Sequence, residues 1–136
     1  MRTKPSLTAQ DAQTMMAACK AEAAARGWAV SIAIVDEGGY PLLVERLDGA
    51  GLLTADVAIR KARTAALMRN PTKGLQDRLL QNPAFLKIAE YLPLQGGMPI
   101  KVGGDCVGAI GVSGVQSHED EAVASVGVAA LDSSTL

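Results

Sequence analysis

Three stretches of this chain carry side chains able to do chemistry. The first surrounds Lys61. On a helical wheel Lys61 shares a face with Val57, Thr64 and Met68, a mostly apolar strip. A lysine so placed either reaches past the strip to water or is partly buried. Partial burial suits a lysine to general-base or Schiff-base work, so Lys61 is the candidate catalytic residue. Arg60 and Arg63 lie beside it and add positive charge for an acidic ligand. The second stretch runs from Asp36 to Asp48. Asp36 ends an apolar run just before Gly38-Gly39, where a carboxylate either fixes the turn through backbone N–H groups or meets a ligand. Tyr40 follows the glycines. Arg46 and Asp48 alternate on one side of the next run; the arginine is placed either to clamp a carboxylate bidentately or to pair with Asp36 or Asp48. The third stretch holds seven of the fourteen glycines, between Gly96 and Gly114. Gly96, Gly97, Ser113 and Gly114 bracket it. Exposed N–H groups at such turns form anion-binding concavities; equally, glycines there permit tight turns and close packing of strands or subunits.

Composition narrows the choice. The formal charge is -1, with no basic or acidic run, which argues against a nucleic-acid partner. Only four residues are aromatic, namely Trp28, Tyr40, Phe85 and Tyr91, too few for the stacking platforms of RNA readers. The core must come from Ala, Val, Ile and Leu. Cys19 and Cys106 stand far apart in apolar surroundings and read as buried thiols, with neither a disulfide nor a metal site. No stretch approaches the length of a membrane span, and a cytoplasmic protein is expected.

The elements that must position these groups are legible. Thr8 and Asp11 form a weak capping box ahead of Ala12, Met15, Met16, Cys19 and Ala23 at helical spacing, and Gly27 stops the helix. Residues 29–36 read as a buried strand and 42–47 as its return, joined at Glu37-Gly38-Gly39. Thr54 or Asp56 opens a second helix with Ala55, Ala58, Ala62, Ala65 and Ala66 along one side. Asn70-Pro71 and Asn82-Pro83 each read as N-cap plus first helical residue, giving two short helices over 71–90. Two strands meet at Gly103-Gly104-Asp105. Ser117 caps a last helix with Val123, Val126, Ala130 and Leu131 inward, and Ser133–Leu136 should fray. Tight turns make the sheet antiparallel, and helices on one face of it make a single α+β domain.

Three motif groups together resemble one family. They are Val35-Asp36-Glu37-Gly38-Gly39 with Glu45-Arg46-Leu47-Asp48-Gly49-Ala50; Lys61-Ala62-Arg63-Thr64-Ala65-Ala66-Leu67; and Gly96-Gly97-Met98-Pro99-Ile100 with Gly108–Gly114 and Asp120-Glu121. The chain resembles the haem-degrading-protein family of GlcG, HbpS and the PduO C-terminal domain, from about residue 7 to residue 131. The resemblance implies a profilin- or PAS-like five-stranded antiparallel sheet in an α/β/α arrangement, and self-association from dimer to octamer. It implies haem as a cofactor, bound or degraded. Many members carry a histidine directly after the Gly-Gly of the first hairpin, where this chain has Tyr40. A haem ligand here would fall to Tyr40 or to His118, the single histidine. No other metal site is expected.

The expected function is therefore an oligomeric domain, 1–136, that binds a small acidic or planar ligand between its hairpins and a neighbouring helix. Haem binding or degradation is the named activity. Two alternatives stand beside it. One is a cofactor-free enzyme acting on a small carboxylate or catabolic intermediate, with Lys61 and the arginines gripping the anion. The other is an accessory oligomer without catalysis.

Overall fold

The computed structural model describes the fold of residues 1–87 and 91–135 and the side chains of that set up to residue 131. Helix α1 spans Ala9–Arg26, strands β1 and β2 span Ser31–Asp36 and Pro41–Arg46, and helices α2 and α3 span Thr54–Met68 and Thr72–Gln81. A 3₁₀ turn over Pro83–Lys87 leads to β3 (Gly97–Val102), β4 (Asp105–Ser113) and α4 (Ser117–Thr135). The sheet is antiparallel, in the order β2-β1-β4-β3.

Local chemistry accounts for most boundaries. Thr8 Oγ1 accepts from the Asp11 N–H at 3.1 Å, and Asp11 Oδ2 accepts from the Thr8 N–H at 2.9 Å, so the capping box is complete. Gly27 closes α1 in the left-handed region at φ 71°. Gly103 and Gly104 both have positive φ, as a two-residue turn that follows the strand twist requires. Pro99 sits in β3, an edge strand, where its missing N–H costs no ladder bond.

Several expectations are corrected. The sheet has four strands among the described residues, where the resemblance implied five. The stretch before β3 is not a strand because side chains take its amides: Leu92 N–H donates to Thr64 Oγ1 and Gln95 N–H to Gln76 Oε1. The helices do not share one face. α1 and α4 cover Ile32, Ile34, Ile110 and Val112, whereas α2 covers Ala33, Val35 and Ala109 on the other side. Ser117 is not the cap of α4. Asp120 Oδ1 accepts from Val115 N–H and Glu119 Oε1 from Gln116 N–H, so acids inside the first turn reach back to cap it. Val126 faces outward, and Ala124 and Gly127 take the inward places beside Val123 and Leu131. Asn70 and Pro71 also divide their roles differently: Pro71 is the N-cap of α3, and Asn70 Nδ2 donates to the Met68 carbonyl. The expected end of the second short helix, at 88–90, lies outside the described residues; α4 stays helical through Thr135, and Leu136 also lies outside them.

Packing of α2 on the sheet is unusually close. A Cβ built on Gly111 would meet the Ala58 carbonyl oxygen and stand 2.5 Å from Ala62 N. Both neighbours are helix backbone and cannot step aside. The alanines of α2 therefore serve one purpose, to let helix and sheet backbones touch. We expect Gly111→Ala to destabilise the fold by about 3 kcal/mol or more in urea unfolding. Gly104→Ala, with open space around it but φ 87°, should cost only about 1 kcal/mol. Equal costs would contradict this account.

Candidate functional site

The strand directions put both hairpin turns at one end of the sheet, together with the C-terminal end of α2. Asp36, Tyr40 and Arg63 meet there. Asp36 Oδ1 accepts from Gly38 N–H at 2.9 Å and from Tyr40 N–H at 3.0 Å, so the carboxylate fixes the turn. The Tyr40 ring is 64% exposed and stands over the Arg63 guanidinium, 5.7 Å from it. The Arg63 stem occupies the space beside Gly39, where a Cβ would stand 2.5 Å from Arg63 Cγ. Arg60 lies one turn earlier on α2 and is exposed.

Beside this cluster lies a cavity of about 210 Å³ between the two hairpin turns and α2, the place where a ligand pocket was expected. Its charged lining comes from Arg2, Lys4, Glu37, Arg69, Lys101 and Asp105. Cys106 lines it as well and is half-buried, where a buried thiol was expected. Both cysteines are free. Cys19 sits in the core, and burial pushes its thiol up to about 12, which keeps it protonated and inert. Sequence reasoning missed Arg69 and Lys101 because nothing in their spacing marks them; the fold alone brings them to one cavity.

The opposite end of the sheet holds the other named residues. Lys61 does not reach water. It is 1% exposed, and its Nζ donates to the Val112 carbonyl at 3.0 Å and to Asp120 Oδ2 at 3.1 Å. Asp120 is 2% exposed. Burial pushes its carboxyl above the ordinary value of 3.8, against the pull of the Lys61 ammonium and the Val115 N–H. Gly96 and Gly97 are buried against Lys61: a Cβ on Gly96 would stand 2.7 Å from Nζ, and one on Gly97 would meet the Lys61 carbonyl oxygen. Thr72 Oγ1 accepts from Gly97 N–H at 2.9 Å. Ser113 ends β4 paired with Ser31, and Gly114 packs on Ala29 and Val30 backbone. Arg46 and Asp48 are exposed on the outer strand β2 and the loop after it, in no ion pair with each other or with Asp36. His118 is exposed in the first turn of α4, at this same end and far from Tyr40. The structure thus joins Asp36, Tyr40 and Arg63, and separately joins Lys61 with Gly96 and Gly97. Asp120 is the residue that sequence reasoning left unassigned to Lys61. A lysine on an apolar face calls for a buried acid, and that was the available signal.

The buried pair makes a sharp prediction. Lys61→Met leaves Asp120 enclosed without its cation and should cost about 3–5 kcal/mol in urea unfolding. Adding Asp120→Asn should recover more than half, because the neutral amide still accepts from Val115 N–H. A double variant no more stable than the single would refute the pairing energetics. The raised carboxyl also sets a pH dependence. Its folded value lies above the unfolded one, so its contribution is fully present below pH 3.8 and is lost as pH rises through the folded value. The stability of the parent relative to Asp120→Asn should therefore improve as pH falls through that window.

Comparison with known proteins agrees with the fold. The haem degrading protein HbpS-like family matches residues 7–129. Protein GlcG of Escherichia coli strain K12 is 40% identical over 114 residues, covering 83% of this chain and 85% of GlcG. A solved structure of Streptomyces reticuli HbpS carrying two substitutions superposes with a TM-score of 0.88 at 38% identity, over 95% of this chain and 89% of that one. A PduOC–haem complex superposes at 0.84 with 25% identity, over 93% and 95% of the two chains. With the family match spanning nearly all of a fold that the solved relatives share, this chain belongs to the haem degrading protein HbpS-like family.

Proposed function

We propose that this chain binds a haem-type ligand, planar and bearing carboxylates, at the end of the sheet that presents Tyr40. The exposed Tyr40 ring over the Arg63 guanidinium carries the reading. A haem face stacks on an aromatic ring, and a tyrosine oxygen is a known ligand to ferric haem iron. Bound haem would supply a redox-active iron at that oxygen. The protein's own groups do the rest. Asp36 holds the Tyr40 backbone through two hydrogen bonds, its Oδ1 accepting from the Tyr40 N–H and its own N–H donating to the Tyr40 carbonyl, which fixes where the ring stands. Arg63 places positive charge over the ring whose oxygen would bind iron as phenolate, and the exposed Arg60 adds charge for carboxylates on the same helix surface. Membership of the family and the haem complex of a relative support the ligand class.

The same reading includes self-association and work in a reducing compartment such as the cytoplasm. Exposed Leu52, Leu53, Leu80 and Leu86 support an assembled state, and two free thiols suit the compartment. Among the described residues no helix is long and apolar enough to cross a membrane. Sedimentation at micromolar protein should show a dimer or larger; a monomer would remove this part of the proposal.

Haemin titration followed in the visible spectrum tests the ligand. The parent should show a saturable Soret shift at stoichiometric haemin. Tyr40→Phe should weaken binding by about tenfold or more and remove the ferric-tyrosinate bands, while His118→Ala leaves both unchanged. A parent with no specific shift, or a Tyr40→Phe variant with the parent spectrum, would sink the proposal.

A further inference from the structure

We propose that the cavity between the two hairpin turns and the end of α2 is a binding site for a small, doubly charged oxyanion, held by Arg69 and Lys101. The inference does not depend on haem binding.

Charge comes first. Four cations and two carboxylates line the cavity in a chain whose net charge is -1. Arg2 is paired with Asp105 at 3.1 Å, and Lys4 is paired with Glu37. These pairs consume both acids. Arg69 and Lys101 form no ion pair among the described residues, so two positive charges remain on the wall of one open cavity. The volume, about 210 Å³, falls below the roughly 300–1,000 Å³ of pockets for drug-sized ligands. It suits an ion of a few heavy atoms, such as phosphate or a short dicarboxylate. A guanidinium grips either bidentately, and an ammonium adds a point charge.

Backbone strain comes second and is independent. Arg69 ends α2 in the left-handed region, with φ 57° and ψ 31°. It is the single non-glycine residue with positive φ among the described residues. Helices that end this way usually place glycine or asparagine there, since a larger side chain is strained. Nothing packs the Arg69 side chain into the core; it is exposed and lines the cavity. A strained arginine where glycine would be relaxed is explained by what its side chain holds.

One feature of the cavity opposes an anion: the carbonyl end of α2, which carries partial negative charge. One of those carbonyls is already engaged: Asn70 Nδ2 donates to the Met68 carbonyl at 3.0 Å. The Cys106 thiol lies 3.8 Å from the Ala66 carbonyl, with a shorter contact of 3.4 Å to that of Gly108.

Calorimetry and thermal melting at fixed ionic strength test the site, with inorganic phosphate and malonate as separate probes and chloride as control. Saturable binding of phosphate alone would assign a phosphate ligand, and of malonate alone a carboxylate; either supports the proposal. Arg69→Gly and Lys101→Gln should each weaken binding by about tenfold or more, whereas Lys73→Gln, a cation outside the cavity, should leave it unchanged. Arg69→Gly should melt no lower than the parent in the absence of anion. The proposal is overturned if neither probe binds below roughly 10 mM, if binding survives both cavity variants, or if Arg69→Gly melts well below the parent. The readout is separate from the Soret band, so failure here leaves the haem reading standing and failure there leaves this one.

Discussion

The ion pair between Lys61 and Asp120 is the interaction around which one end of this fold is arranged. It joins α2 on one face of the sheet to α4 on the other, by a lysine long enough to pass the ends of β3 and β4. An enclosed ammonium is tolerable only with its hydrogen bonds met, and the Val112 carbonyl and Asp120 supply two of them. The rest of that end follows. Gly96 has no side chain because Nζ fills the space a Cβ would need, and Gly97 has none because the Lys61 backbone does. Asp120 is shared: one oxygen meets the lysine and the other caps the start of α4. The same carboxylate therefore ends the loop, starts the helix and locks the layers.

Such a pair is not a cheap source of stability. Removing two charges from water costs several kcal/mol each, and a well-packed apolar replacement often does as well or better. Its value here lies in register. The apolar contacts between α2 and the sheet are made on the helix side mostly by alanines, with Ile59 beside them. A lysine that must end at one carboxylate fixes where the helix sits along β4. The Gly111 contact with the Ala58 and Ala62 backbone then sets how close the two lie.

Local signals in the sequence were readable where the physics is local. The α1 capping box, its buried face of Ala12, Met15, Met16, Cys19 and Ala23, and the stop at Gly27 depend on residues a few positions apart. The double-sided sheet was also present in the sequence, though less plainly. Ser31–Val35 is buried without alternation, as a strand covered on both faces must be, and the large residues alternate with small ones according to which helix each faces. What spacing could not supply is partnership over distance. Lys61 and Asp120 lie 59 positions apart, and Arg69, Lys101 and Arg2 reach one cavity from three separate elements. The α4 cap was misread for a related reason. Ser117 has the right chemistry, but Asp120 had already been placed by the lysine.

The division between the two ends of the sheet explains why the glycine-rich motif misleads as a site signal. Gly96, Gly97, Gly111 and Gly114 all face backbone or a buried side chain at close range, so each is required by packing. Gly103 and Gly104, in the same stretch, have nothing near them and exist to turn the chain. Their turn brings Asp105 and Cys106 to the cavity and sets Lys101 at its rim. Motif glycines thus mark where the backbone is constrained. The groups free to meet a ligand stand just outside the motifs: Tyr40 after the first Gly-Gly, and Arg69 after the alanine-rich helix.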